Sequence, residues 1–244
     1  MHVVLPAYNE AANIGAVLTS LQRAGGEAGL EFRAIVVDDG SSDGTADVVR
    51  RHTAGSMPAV LIEHPGNLGL GAAIRSGLLK AVDASVDEDV IVTMDADDTH
   101  TPAAIGKMLA RIDAGADVVV ASRYRAGSRV VGLSVFRRFL SFAASLLFRA
   151  VFPTEGVRDF TCGYRAYRAT VLKAAFRRYR QEFIDEEGFQ CMVDILLKLR
   201  RMKLAFAEVP LVLRYDLKAG KSKMKVARTI VKTLALLIKR RLGR

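Results

Sequence analysis

Several things missing from this 244-residue sequence narrow what it can be. Cysteine occurs only at Cys162 and Cys191, far apart and without ligand-like spacing, which excludes a disulfide framework and a cysteine-based zinc site and suits a reducing compartment. No apolar stretch is both long and uncharged. The greasiest one, 133–152, carries Arg137, Arg138 and Arg149, so a simple bilayer span is not expected. The opening Met-His-Val-Val-Leu-Pro enters a strand directly, with no charged leader ahead of an apolar stretch, so no signal peptide is expected. Internal repeats and low-complexity linkers are absent. Acidic residues are outnumbered, 26 against 36 lysines and arginines, and the net charge of +10 suits phosphate-bearing partners: nucleotides, nucleic acid or anionic lipid.

What is present is half apolar by count, enough to bury the core of one full-sized α/β domain. The first half alternates short β-branched runs with helix-length amphipathic stretches, the pattern of a parallel sheet covered on both faces. Strands are expected at His2–Leu5, Arg33–Val37, Ala59–Glu63, Asp89–Met94 and Asp117–Ala121. Between them Ile14, Leu18 and Leu21, and then Ile74, Leu78 and Val82, recur at helical spacing. After Ser122 the alternation gives way to an Arg- and Phe-rich region, a helix near Glu187–Arg201 and a strand near Leu204–Val209. The tail sets Val226, Ile230, Leu234, Leu237 and Ile238 beside Arg228, Lys232, Lys239, Arg240 and Arg241, an apolar stripe next to a cationic face.

In an open parallel sheet, ligands bind beyond the carboxyl ends of the strands. Those ends are acidic here: Glu10 follows the first strand, Asp38, Asp39 and Asp43 the second, and Asp95, Asp97 and Asp98 the fourth. Each cluster also suits a solvated turn, with Asp43 as a helix cap. Their recurrence at three ends of one sheet favours ligation. A nucleoside diphosphate could not approach such an edge without a cation between. Asp95 and Asp97, two apart, can share one hard cation, Mg²⁺ or Mn²⁺, with pyrophosphate oxygens. The stretch Gly66-x-x-Gly69-x-Gly71 superficially matches a dinucleotide-binding turn, but it follows a later strand, where that fingerprint does not belong. Arg123, just after the fifth strand, and Arg138, in the apolar segment, are candidates for holding an acceptor phosphate. Lys221 and Lys223 could close over the phosphates from a glycine-containing loop.

Pro6-Ala7-Tyr8-Asn9-Glu10, Val37 to Thr45, Asn67 to Ala73 and Asp95-Ala96-Asp97, in this order and at these separations, resemble the family-two glycosyltransferases of GT-A type. Ser122-Arg123-Tyr124, Asp159 to Tyr167 and Gly220-Lys221-Ser222-Lys223 extend the resemblance to the dolichyl- or polyprenyl-phosphate mannosyl- and glucosyltransferase branch, over nearly the whole chain. The resemblance implies an α/β fold: a doubly wound, mostly parallel sheet with helices on both faces and an amphipathic C-terminal helix. It implies a catalytic domain over 1–220, with a nucleotide-sugar half at 1–121 and an acceptor half at 122–220, followed by a basic tail at 221–244.

Residue by residue, the resemblance places Pro6, Tyr8 and Glu10 beside the donor's base and ribose and Asp39 on the base. It gives Asp95, Ala96 and Asp97 to the metal and diphosphate, and brings Arg75 toward the donor. Relatives often carry glutamine where this chain has Thr99, whose hydroxyl is shorter in reach; Asp98 is the alternative oxygen ligand. Asp194 stands where many relatives have glutamate on a helix lining the sugar pocket. The implied reaction is inverting transfer of a sugar, with mannose from GDP-mannose as the family-level expectation, onto a polyprenyl or dolichyl phosphate. The implied setting is peripheral, on an anionic, cytoplasmic membrane face. The same donor site could instead serve a saccharide acceptor. A nucleic-acid-binding role is disfavoured, because acidic strand ends repel a phosphate backbone.

Overall fold

The computed structural model describes residues 1–53, 58–217 and 226–242. Seven strands form one sheet: β1 His2–Ala7, β2 Arg33–Asp38, β3 Ala59–Glu63, β4 Val90–Thr93, β5 Val118–Ser122, β7 Arg165–Arg168 and β8 Phe206–Pro210, in the order β3-β2-β1-β4-β7-β5-β8. Two further strands, β6 Arg129–Val131 and β9 Val212–Arg214, pair in parallel outside it. Only β7 runs against its neighbours β4 and β5. The sheet is thus α/β and mostly parallel, as expected. The five strands read from the sequence are all present, with bounds that shift by one or two residues and with β3 unchanged.

Side-chain alternation assigns each strand to two cores. Val3, Leu5, Ala34 and Val36 pack on one face with Ile14 and Leu18 of helix α1 (Ile14–Ala28) and Ile105 and Met108 of α4 (Ala104–Asp113). Val4, Ile35 and Val37 pack on the other with Ile74 and Leu78 of α3 (Leu70–Ala84) and Leu172 of α6 (Ala169–Tyr179). Helix α2 (Thr45–Thr53) crosses between β2 and β3. Helix α7 (Gln190–Arg200) is buried from Gln190 to Leu199 and feeds both cores, Val193 and Leu196 one and Ile195 and Leu199 the other.

Two helices differ. Helix α5 (Val135–Val151) buries Phe148 but leaves Val135, Phe139, Phe142 and Leu146 exposed. Helix α8 (Val226–Arg241) buries Leu236 and Leu237 and exposes Val231, Leu234 and Ile238. No described helix is long and apolar enough to cross a membrane.

The topology locates the crevice. β1 lies between β2 and β4, both parallel to it; the chain winds outward through β2 and β3 on one side and through β4 on the other. The switch point, where ligands bind in such sheets, therefore falls beyond Ala7 and Thr93, between Tyr8 and the Asp95–Asp97 turn.

Candidate active site

The loops after β1, β2 and β3 are joined by hydrogen bonds that use most of the acidic and polar side chains there. The Asn9 amide donates to Ser41 Oγ at 2.8 Å, the Glu10 amide to Thr45 Oγ1 at 2.9 Å and the Ala11 amide to Asp43 Oδ2 at 3.0 Å. In return Asn9 Oδ1 accepts the Ser42 amide at 2.8 Å. Asn9 adopts a left-handed φ of 53°, a conformation that asparagine tolerates better than most side chains. Asp43 also accepts the Thr45 amide at 3.1 Å, the cap expected at the start of α2. Glu10 is buried, and its Oε2 takes the Asn13 side-chain amide at 2.6 Å.

Asp39 reaches the third loop. Its carboxylate accepts the Leu68 and Gly69 amides at 3.0 and 2.8 Å and meets His64 Nδ1 at 2.7 Å, while His64 Nε2 meets Ser76 Oγ at 2.9 Å. With Nδ1 donating to Asp39, Nε2 accepts from the serine hydroxyl. Asp39 is buried, so its observed work is to fix the glycine-rich turn. The glycines of that turn serve close packing. A Cβ on Gly71 would lie 1.9 Å from the Glu186 carbonyl oxygen and one on Gly69 2.7 Å from that of Glu187, and the Gly71 amide donates to Glu187 O at 2.8 Å.

The end of β4 is different. The Asp95 side chain is 46% exposed. The Asp95 amide donates to His100 Nδ1 at 3.2 Å, which puts the ring proton on Nε2, 3.8 Å from Asp95 Oδ2. His100 is buried and stacks on Tyr164 with ring centroids 4.9 Å apart. Asp97 Oδ1 receives the Thr99 hydroxyl at 2.6 Å and the Thr99 amide at 3.2 Å. Thr99 is itself buried, so its hydroxyl orients Asp97. Asp98 holds a left-handed φ of 60°, and burial together with the Asp97 charge raises its carboxyl pKa. Ala96, between the two aspartates, turns its methyl group into the core at 2% exposure. Pro6 sits inside β1, Tyr8 is exposed just past it, and Arg75 is half-buried on α3, one turn after Gly71.

The second half of the chain threads back into the sheet. A Cβ on Gly163 would lie 3.6 Å from Asp95 Oδ1 and 3.8 Å from Met192 Cγ, which places the Asp159–Gly163 loop and the start of α7 beside the acid pair. Arg165, fully buried in β7, ties these together by donating to Met192 O at 2.6 Å and Phe160 O at 2.8 Å.

Arg123 is engaged by the same loop. Its Nε and Nη2 donate to Asp159 at 2.8 and 2.7 Å, Nη1 to Ser141 Oγ at 2.9 Å, and Nη2 also to Thr161 Oγ1. Four of its five N–H donors are thus committed, so a forked grip on a phosphate is reduced to the one remaining Nη1 proton. Burial alone would lower the Arg123 pKa, but the Asp159 charge and hydrogen bonds outweigh it and raise it. Arg138 is exposed on α5, three residues before Ser141 and so on the same helix side. Lys221 and Lys223 lie outside the described residues.

How the tail is held has no counterpart in the sequence pattern. Arg240 reaches both carboxylate oxygens of buried Asp194, with Nη2 to Oδ2 at 2.9 Å, and Lys198 pairs with Asp194 at 2.6 Å and Asp185 at 2.7 Å. Lys239 meets Glu186 at 3.3 Å. Of the cationic face expected on this helix, Arg240 is therefore turned inward and Lys239 is paired with an acidic side chain. Asp194 on α7 is thus the centre of this ion cluster. Leu237, expected on the outward stripe, is buried instead.

Among the described residues no three or more His, Cys, Asp or Glu side chains converge as a metal cage. The acid pair of β4 could hold a cation only in company with oxygens from a ligand.

The profile of glycosyl transferase family 2 matches residues 2–176. The undecaprenyl-phosphate mannosyltransferase of Micrococcus luteus is 31% identical over 221 residues, 91% of this chain and 86% of that protein. The polyprenol monophosphomannose synthase of Mycolicibacterium smegmatis is 31% identical over 223 residues, 91% of this chain and 80% of its own length. In fold, glucosyl-3-phosphoglycerate synthase of Mycobacterium tuberculosis, solved with Mn²⁺, UDP and phosphoglyceric acid, superposes with a TM-score of 0.69 at 20% identity, covering 98% of this chain and 78% of that one. With a mixed α/β sheet whose switch point carries the acid pair, a family profile across most of its length and relatives of this identity, the chain belongs to glycosyl transferase family 2 and is a glycosyltransferase.

Proposed function

We propose that this enzyme transfers mannose from GDP-mannose to a polyprenyl phosphate at a membrane surface. The observation that carries the donor half is the sorting of carboxylates at the sheet edge: Asp39 and Glu10 are buried in loop contacts, whereas Asp95 stands half-exposed beside Asp97 at the switch point. The acceptor half rests on the names of the two curated relatives and on the exposed apolar stripes of α5 and α8.

The donor set is all oxygen and crowded with negative charge, which fits a hard divalent ion. Asp95 and Asp97 would hold Mg²⁺ or Mn²⁺ there, which when bound supplies charge compensation to the leaving diphosphate. Thr99 keeps Asp97 turned toward that position, and the welded loops after β1 to β3 hold the nucleotide side rigid. An acceptor phosphate monoester, with a second ionisation near pH 6, is already largely an oxyanion at neutral pH, so no side chain need take its proton. Its oxygen attacks the anomeric carbon from the face opposite the diphosphate; the new O–C bond forms as the old one breaks, and the configuration inverts. Arg138 and the last Nη1 proton of Arg123 hold the acceptor in line. Asp39 acts on the base through the turn that it fixes.

A transfer assay tests the proposal: labelled GDP-mannose, other GDP-sugars and UDP-sugars are offered with undecaprenyl phosphate, undecaprenol or a soluble saccharide. Organic-extractable product from GDP-mannose and the phosphate alone is the expected result. Equal transfer to the saccharide, or none to lipid phosphate from any donor, would overturn it.

A further inference from the structure

We infer that a cavity at the far end of α7 binds the glycerophosphate headgroup of an anionic phospholipid, separate from the acceptor; the inference rests on the membrane contact proposed above. The cavity, about 210 Å³, lies where the C-terminal ends of α5, α7 and α8 meet. The start of α7 adjoins the Asp95 loop, so the 11-residue helix sets the cavity roughly 16 Å from the donor edge.

Its chemistry is two-sided. Val151, Phe152 and Leu197 make an apolar wall, and cations converge on it from two helices. Lys198 and Arg240 are neutralised by Asp185 and Asp194. Among the described residues no carboxylate pairs with Arg200, Arg201 or Arg241, and Arg200 is steadied by Nε donating to Pro153 O at 3.1 Å. Cations at helix C-termini also complement the helix dipole, and one alone would mean no more than that. Three around one concavity with a greasy wall favour a ligand that is anionic at one end and apolar at the other.

The neighbouring surfaces point to lipid as the source of the phosphate. The exposed stripe of α5, Val135, Phe139, Phe142 and Leu146, and that of α8, Val231, Leu234 and Ile238, both belong to helices that end at this cavity. Acyl chains lying along these stripes would bring a headgroup to the arginines. The space suits glycerophosphate and is smaller than the roughly 300 Å³ at which pockets for drug-sized ligands begin.

The test reads binding, not turnover, so its failure is distinct from failure of the transferase assignment. The full chain, an Arg201→Gln/Arg241→Gln variant and an equally charged Arg51→Gln/Arg177→Gln control are sedimented with phosphatidylcholine vesicles, with and without phosphatidylglycerol. All four arginines are exposed, and those of the control lie on α2 and α6, away from the cavity. The cavity variant should bind phosphatidylglycerol vesicles about thirtyfold more weakly than the parent while the control stays within about threefold, and binding to pure phosphatidylcholine should not change. Equal loss in both variants would mean a diffuse surface charge, and no loss in the cavity variant would remove the site. Calorimetry with inorganic phosphate completes the set. Phosphate binding that the cavity variant loses, with vesicle binding unchanged, would make this a free-phosphate site and overturn the lipid. A parent that binds neither vesicle would overturn the inference along with the membrane contact.

Discussion

Replacing Asp159 by asparagine tests how the second half of the chain is locked to the sheet. Asp159 is fully buried and accepts the Arg123 amide at 3.1 Å, its guanidinium at 2.8 and 2.7 Å and the Cys162 amide at 3.1 Å. Asparagine keeps the size and one oxygen, but it leaves the Arg123 guanidinium, 15% exposed, without its counter-charge. Breaking a buried pair from one side costs about 3–5 kcal/mol. At roughly 2–4 °C per kcal/mol for a chain of this size, Tm should fall by about 6–20 °C. Burial alone would raise the Asp159 pKa, but the Arg123 charge and hydrogen bonds more than offset it and lower it. A lowered folded pKa means that the pair's stabilisation is fully present above the unfolded value of about 3.9 and is lost as pH falls through the folded one. The gap between parent and variant should therefore hold at neutral pH and narrow below about pH 4. Thermal and urea unfolding across that range measure both effects. An Asp159→Asn/Arg123→Met double variant should recover part of the loss, because it removes the uncompensated buried charge while the asparagine oxygen still accepts a backbone amide. A single variant within about 1 kcal/mol of the parent, or a double variant no better than the single, would refute the reasoning.

Gly71→Ala would drive a methyl group to 1.9 Å from the Glu186 carbonyl oxygen and should cost roughly 1–3 kcal/mol in thermal unfolding. Thr99→Val, which removes the hydroxyl 2.6 Å from Asp97, should weaken Mn²⁺-supported transfer about 10–100-fold in a metal titration while Tm barely moves. Arg138→Ala should raise the KM for the lipid phosphate about 10–100-fold, with donor affinity by calorimetry unchanged within a few fold.

Parts of this molecule were legible in the sequence because their cause is local. β1 and β2 begin where expected, since runs buried on both faces leave a continuous β-branched signal, and the more exposed edge strand β3 lies at Ala59–Glu63 as expected because Val60 and Ile62 keep that local signal. β7 left none: Arg-Ala-Tyr-Arg is four residues long, and the two terminal nitrogens of its buried Arg165 donate to carbonyls of Phe160 and of Met192, 27 residues away. The strand-end carboxylates were visible, but their division was not. Asp39 is consumed by amides 29 and 30 residues on, contacts that periodicity cannot reveal. His64 and His100, which complete those loops, carried no signal at all. The tail shows the same limit from the other side. A lysine- and arginine-rich helix reads alike whether its charges meet headgroups or, as Arg240 does, an aspartate 46 residues back in the chain.

Transfer to polyprenyl phosphate by the parent and by Asp97→Asn, each with Mn²⁺ and again in excess chelator, tests the central claim most directly. The account predicts product from the parent with Mn²⁺, and next to none from the chelated parent or from a variant that keeps the parent's circular dichroism and Tm. A folded Asp97→Asn that transfers at the parent's rate, or a parent fully active in chelator, would contradict it.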